Sequence, residues 1–324
     1  MVRFLAVRLA QAAAIVFLVA TLTFVLIHLA PGSPFTPSGE AGRVPRAVIE
    51  QLERNFGLDR PVHVQYVRYL ANLARGNFGY SYAEHRPVRD AFLERVPNTL
   101  LLAAAGLVIM FVLGIATGAA QGSRPASRTD DALSLVTLAL YAMPVFWLGL
   151  MLLLVFGETL GWLPVGGTHD AVLNQHMGMV GRIADRLRHL VLPALTLGLV
   201  GAAVTARYQR AAMLEVATQD FLRTARAKGL AERVVLVRHA LRNALLPAIT
   251  LFGLAFPLLL SGAVLVEKVF AWPGLGQLAV DAIHRRDYAV VTGAAIVTAI
   301  MVVLGNVIAD VLYRLADPRT RESA

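Results

Sequence analysis

The chain has 324 residues, of which 57% are hydrophobic and only 16% charged, with a mean hydropathy of +0.62. Soluble domains carry about 25% charged residues, so this balance places the chain among integral membrane proteins, and the absence of cysteine excludes disulfide frameworks and thiolate metal sites. The formal net charge of +9 belongs to the loops of a lipid-facing protein, where Lys and Arg report orientation, and nucleic acid is not an expected partner.

Crossing about 30 Å of hydrocarbon takes about 20 helical residues. Six apolar runs meet that length: Leu9–Ala30, Thr99–Ala120, Leu133–Phe156, Leu190–Ala206, Leu245–Val266 and Tyr288–Leu312. The first follows Arg3 and Arg8 and spans 22 residues. A signal-peptide core has roughly 7–15, so the run reads as a retained signal-anchor helix. The fourth is short and continues through Tyr208 towards Met213.

Between the first two runs lies a 68-residue loop, Pro31–Asn98, too long for a simple connector. Its stretch Val62–Gly79, "VHVQYVRYLANLARGNFG", and its Gly and Pro breaks predict a small, partly helical extracytoplasmic subdomain. Gly114, Gly118 and Gly122 recur at every fourth position in and just beyond the second run, a spacing that lets helices approach closely in lipid. Pro144, Pro193, Pro247 and Pro257 stand where they kink or start the third, fourth and fifth spans.

The span centres carry no Asp, Glu, Lys or Arg, which argues against a proton-coupled carrier. His28 and Asp310 lie near span ends and read as solvated or capped end residues. Both lysines, Lys228 and Lys268, lack the glycine-rich loop that wraps phosphate, so ATP hydrolysis by that mechanism is not expected of this chain alone. No H-E-x-x-H or G-x-S-x-G motif occurs, and Ser261 has no charged base in any span, so no catalytic residue is assigned. Thr250 and Ser261 remain as polar candidates for lining a pathway through the fifth span.

Lys and Arg counts set the orientation. With the N-terminus inside, the inner segments hold 2, 2, 8 and 3, and the outer ones 9, 3 and 3. The nine lie in the long loop, and loops of that length translocate largely regardless of charge; the shorter segments put both termini in the cytoplasm. Residues 207–244 then form a cytoplasmic segment. Within it, Gln219 and Asp220 cap a short helix bearing Phe221, Leu222 and Ala225 beside Arg223, Arg226 and Lys228, and Gly229 terminates it. A second helix follows, with Leu230, Val234, Val237, Leu241 and Leu245 as one stripe and the pairs Arg238/Arg242 and His239/Asn243 beside it. Such a segment suits either an anionic lipid surface or a cytoplasmic protein; a glycine-broken helix pair with mixed Asp, Glu, Asn and His favours the protein.

"RTARAKGL" followed by "RHALRNALLP" resembles the cytoplasmic loop of ATP-binding-cassette importer permeases, in the dipeptide/oligopeptide/nickel branch. Arg223-Thr224-Ala225 stand where that loop has E-A-A, and Gly229 holds its glycine. "HLAPGSP", "FGLDRPVHVQYVRYLANLARGNFGYSY", "RPVRDAFLERVPNTLLLA" and "EKVFAWPGLGQLAVDAIHRRDYAVV" are similar to the same branch, so the resemblance covers nearly the whole chain. Pro31-Gly32-Ser33-Pro34 departs from its P-G-D-P.

The resemblance implies an all-α integral membrane protein with a six-helix, type I ABC importer-like permease bundle. Its expected parts are an N-terminal helix (1–30), an extracytoplasmic subdomain (31–98) and a five-helix core (99–324). It also implies a bacterial or archaeal inner-membrane location and a second homologous permease subunit. Two cytoplasmic ATPase subunits would hold ATP and magnesium, so that this chain itself binds no cofactor or metal and is not an enzyme. An extracytoplasmic binding protein would deliver di- or oligopeptides to it. The coupling to the ATPases would rest on Asp220, Phe221, Arg223, Thr224, Ala225, Arg226, Lys228 and Gly229, with His239 and Asn243. Import of nickel chelates or glutathione-like solutes, or a membrane receptor or assembly role with another cytoplasmic partner, are the alternatives.

Overall fold

The computed structural model describes residues 2–29, 60–81 and 83–316. Residues 30–59, which hold the P-G-S-P motif and the first half of the expected subdomain, lie outside the described residues. The described chain is helical apart from one two-stranded hairpin, and it divides into two compact units. One comprises Met1–Asn98 and Gly274–Leu304, the other Thr99–Pro273 and Gly305–Ala324.

In the first unit, α1 (Val2–Leu29) is an uninterrupted apolar helix, and α2 (Val62–Ala74) starts after Pro61, whose fixed φ suits a helix entry. Phe24 of α1 stacks beside Tyr66 and Tyr69 of α2, with centroids 5.2 and 5.4 Å away, and Thr21 shares a 2.7 Å hydrogen bond with the Tyr66 hydroxyl. His28 is satisfied at both ring nitrogens, by the Phe24 carbonyl at 2.9 Å and by Gln65 at 3.1 Å, as a capped end residue should be. β1 (Tyr80–Ser81) and β2 (Arg86–Pro87) pair antiparallel. The short α11 (Leu275–His284) precedes α12 (Tyr288–Ala316), which supplies residues to both units.

The second unit is built on α3 (Val88–Ser123) from Thr99 onward and on α6 (Met179–Ala217). Both are far longer than the runs Thr99–Ala120 and Leu190–Ala206 read from the sequence, because polar turns continue the apolar ones without a break; α6 passes through Pro193 without stopping. The glycine spacing is explained by their crossing. A Cβ on Gly114 would sit 2.5 Å from Thr205 Cβ, one on Gly118 would strike the Ala206 carbonyl, and one on Gly122 would strike Met213 Cβ. From the other side, a Cβ on Gly198 would sit 2.7 Å from Ile109. Contact positions climb together along both chains, so the helices run parallel, held by backbone approach where lipid removes the hydrophobic drive.

The third run is broken at Pro144, one of the prolines read from the sequence as kinking or starting a span. α4 (Arg128–Ala142) stops at Met143, and α5 (Val145–Leu152) restarts after Pro144 at an angle of 108°. Proline disfavours the helical conformation in the residue before it, and Met143 sits at φ −78°, ψ 131°. A π-helical turn, Leu153–Thr159, continues α5.

Four described helices are long and apolar enough to cross a membrane, or five if the bent pair counts as one. All but the first residue of the run at Leu245–Val266 lies within a further 24-residue apolar helix, α10 (Leu246–Val269), which Pro247 opens. The core of this unit gathers Leu102, Met110, Leu192, Leu197, Leu259, Val266, Phe270 and Trp272.

Candidate functional site

The segment after α6 folds as a short helix, α7 (Asp220–Ala227), with a sharp turn at Gly229. Gln219 occupies the N-cap position with extended dihedrals but makes no side-chain cap bond; Asp220 contributes its charge to the positive first turn. At the other end the Gly229 N–H donates to the Arg226 carbonyl at 2.9 Å and the Leu230 N–H to the Ala225 carbonyl at 3.4 Å. These paired bonds form a Schellman turn, which needs a left-handed residue between them, and Gly229 supplies φ +78°. The guanidinium of Arg226 then reaches across the turn to Glu232, with Nη2–Oε1 at 2.9 Å and Nε–Oε2 at 3.1 Å. That fork holds the Glu232 carboxyl below its usual range and raises the Arg226 guanidinium further.

The two sides of α7 differ. Leu222 is fully buried and Ala225 nearly so, in a cluster with Ala212 and Met213 of α6 and with Val235, Ala240 and Ala244. Phe221, Arg223, Thr224, Arg226 and Lys228 are exposed, and Arg223, 77% exposed, makes a long 3.6 Å contact with Asp220. So α7 is clamped from beneath and presents one aromatic and three cationic side chains outward. Of the residues assigned from the sequence, Ala225 faces the core rather than the surface.

The following helix differs from the sequence reading. Residues 232–244 run as α8 (Glu232–Val234), a π stretch (Val235–Leu241) and α9 (Arg242–Ala244). The expected stripe fails at Leu230, Val234 and Val237, all exposed; the buried positions are Val235, Ala240 and Ala244. A π turn closes i→i+5 bonds, so the inward face advances by five residues where a regular helix would advance by three or four. His239 is half-buried, and exposed Asn243 donates to the His239 carbonyl at 2.7 Å. Thr250 and Ser261 fall within α10, but their side chains lie outside the described residues.

Two polar ties escaped the sequence reading. Arg210 of α6 makes a fork of two 2.8 Å hydrogen bonds to Asp130, which is 2% exposed at the start of α4. Asp130 also accepts from the Ala126 N–H at 3.1 Å, so the connection between α3 and α4 is pinned to the C-terminal end of the α3–α6 glycine crossing. Glu267, the first residue of the outer segment as read from the sequence, is fully buried in the last turn of α10 and accepts a 2.6 Å bond from Thr99. The only sequence signal was its neighbourhood: "VFAWP" brings Phe270 and Trp272, both buried, directly after it.

Comparison with known proteins places this arrangement. The family model described as binding-protein-dependent transport system inner membrane component matches residues 110–322, and the N-terminal model of the same kind of membrane component matches residues 1–103. The chain is 43% identical over 334 residues to the di/tripeptide transport system permease protein DppB of Pseudomonas aeruginosa (strain UCBPP-PA14), with 99% of each covered. It is 42% identical over 299 residues, 92% of each, to the oligopeptide transport system permease protein AppB of Bacillus subtilis (strain 168). The glutathione transport system permease protein GsiC of Escherichia coli (strain K12) is 38% identical over 310 residues, 94% of each. Among solved structures, the MetNI methionine ABC transporter in an inward-facing crystal form superposes with a TM-score of 0.55 at 18% identity, over 70% of this chain and 96% of that one, a likeness of fold. With both of its parts matched from residue 1 to residue 322, the chain belongs to the inner-membrane components of binding-protein-dependent transport systems, and it is a multi-pass permease subunit.

Proposed function

We propose that the chain forms, with a second homologous permease subunit, the pathway of an ATP-driven importer for di- and oligopeptides. Both termini and the segment 207–244 face the cytoplasm. There α7 docks into one of two ATPase subunits, which hold ATP and magnesium and supply the energy. A substrate-binding protein delivers peptide at the opposite side, towards Pro31–Asn98 and Glu267–Asp287. ATP binding shifts the pathway between its two states only because the ATPase pair grips α7 unequally in them.

One observation carries this reading: a short helix clamped by Leu222 and Ala225 yet offering Phe221, Arg223, Arg226 and Lys228 outward. A helix buried to its waist and bare on its outer side fits a groove in a soluble partner. Coupling-site assignments follow from it. Phe221 is the apolar anchor, Arg223, Thr224 and Lys228 are contact residues, and Ala225 and Gly229 set the position of the rest. Asp220 and Arg226 brace the two ends of the helix, and His239 and Asn243 support the turn behind it. Arg223→Glu is expected to reduce co-purification of the ATPase subunits at least several-fold while the protein still inserts; undiminished co-purification would remove Arg223 from the interface.

The relatedness to glutathione permeases favours a second reading of the cargo, a glutathione-like peptide. Competition of labelled tripeptide uptake by glutathione separates the two.

A further inference from the structure

At the C-terminal end of the α3–α6 crossing, two glutamines are sealed inside the second unit. Gln209 of α6 is 1% exposed and Gln121 of α3 is 2% exposed. Among the described residues, no protein group bonds either polar atom of the Gln209 carboxamide, nor the Gln121 Oε1. A buried carboxamide left unpaired is costly, because it gives up its bonds to bulk water and receives none in return. Native interiors rarely tolerate one such atom, and this end of the crossing carries three.

A closed ring of contacts joins the residues that bear them. Gln121 Nε2 donates to the Ser134 hydroxyl of α4 at 2.9 Å, and Ser134 donates to Asp130 Oδ1 at 3.4 Å. Asp130 holds Arg210 through the fork already described, and Arg210 follows Gln209 directly in α6. Gln209 in turn packs on Gly118, where an added Cβ would lie 2.6 Å from Gln209 Cβ. Gly118 and Gln121 stand three apart on α3, so they share a face of that helix. The ring thus passes through three helices and returns to its start.

The charges of the ring limit what can answer the three atoms. A free cation would meet the Arg210 guanidinium and a free anion the Asp130 carboxylate, and the fork already neutralises both. The occupant must be small, uncharged, and able both to donate and to accept. Water meets all three conditions. The oxygen and nitrogen of one carboxamide point apart, so Gln209 calls for two waters rather than one. Buried waters typically make about three hydrogen bonds, to groups that the fold leaves unsatisfied.

We propose that Gln121 and Gln209 hold a sealed pair of waters where α3, α4 and α6 meet, bridging the two carboxamides. Earlier in the crossing, at Gly114 and Gly198, the helices touch directly. At its C-terminal end the contact is carried by water and by the Asp130–Arg210 fork.

The test is a double-substitution cycle on the full-length chain in nanodiscs, read by thermal midpoint. Methionine keeps the length of glutamine and removes its polar atoms. Gln209→Met should lower the midpoint by several degrees, since it strips the waters of partners and orphans Gln121. Gln121→Met added to it should cost less than the two single changes summed, because no carboxamide then remains to be orphaned. A Gln209→Met midpoint equal to or above that of the unaltered chain overturns the site, as a partnerless amide gains by its removal. Strict additivity overturns the bridge. If a variant fails to insert, an experimental map of the unaltered protein, fine enough to show ordered water, decides the matter. Density within hydrogen-bond reach of the Gln209 carboxamide is expected there, and a dry carboxamide, or one bonded to protein, overturns the proposal.

Discussion

Gly229 shows how much one position can decide. A Cβ there would meet nothing within 4 Å, so no neighbour resists substitution; only the backbone does, at φ +78°. Asparagine tolerates the left-handed region and a β-branched residue does not, with a penalty of roughly 1–2 kcal/mol or more. Gly229→Asn is therefore expected to keep most ATP-driven peptide uptake, and Gly229→Val to lose it with normal membrane levels, measured in the same vesicles. If both lose uptake equally, a conformational role for this glycine is excluded. This residue was legible in the sequence because its neighbours, a basic helical turn followed by a fresh start, leave a glycine few other duties. The Asp130–Arg210 fork was not, since its partners are 80 residues apart and each looks like an ordinary loop charge. Glu267 misled for a related reason: beside Lys268 it reads as part of a hydrophilic boundary, and only packing by Phe270 and Trp272 reveals it as interior.

Among elements, the helices were legible where apolar length alone defines them and illegible where geometry departs from the regular repeat. The 108° break at Pro144 is hidden in hydropathy because both arms are apolar, although the proline that causes it stands in plain view. The π stretch at Val235–Leu241 is harder, since a periodicity test assumes the very step that the stretch alters. The glycine spacing in α3, by contrast, was correctly read as packing. Gly118→Leu should force α3 from α6 and lower the thermal midpoint of the purified protein by several degrees, through the overpacking cost of about 1–3 kcal/mol. Gly178→Ala, whose added Cβ meets nothing, serves as the control and should leave it unchanged. A Gly118→Leu midpoint equal to that of the control would show that the crossing tolerates separation.

At the level of the molecule, the chain holds no phosphate-binding loop in its sequence. Reconstituted alone into liposomes with ATP inside, it is expected to give no uphill peptide accumulation, and adding the ATPase subunits and binding protein should restore it; accumulation by the single chain would refute the scheme. The 39 residues of α6 bear on how such a machine moves. At 1.5 Å per residue that helix is a rod about 58 Å long, well beyond the bilayer's apolar thickness, and only Thr218 and Gln219 separate it from α7. Under the proposed docking, a push of a few ångströms on α7 is expected to pass into α6 across that two-residue joint and to swing the shaft, in the manner of an oar pivoting in its lock.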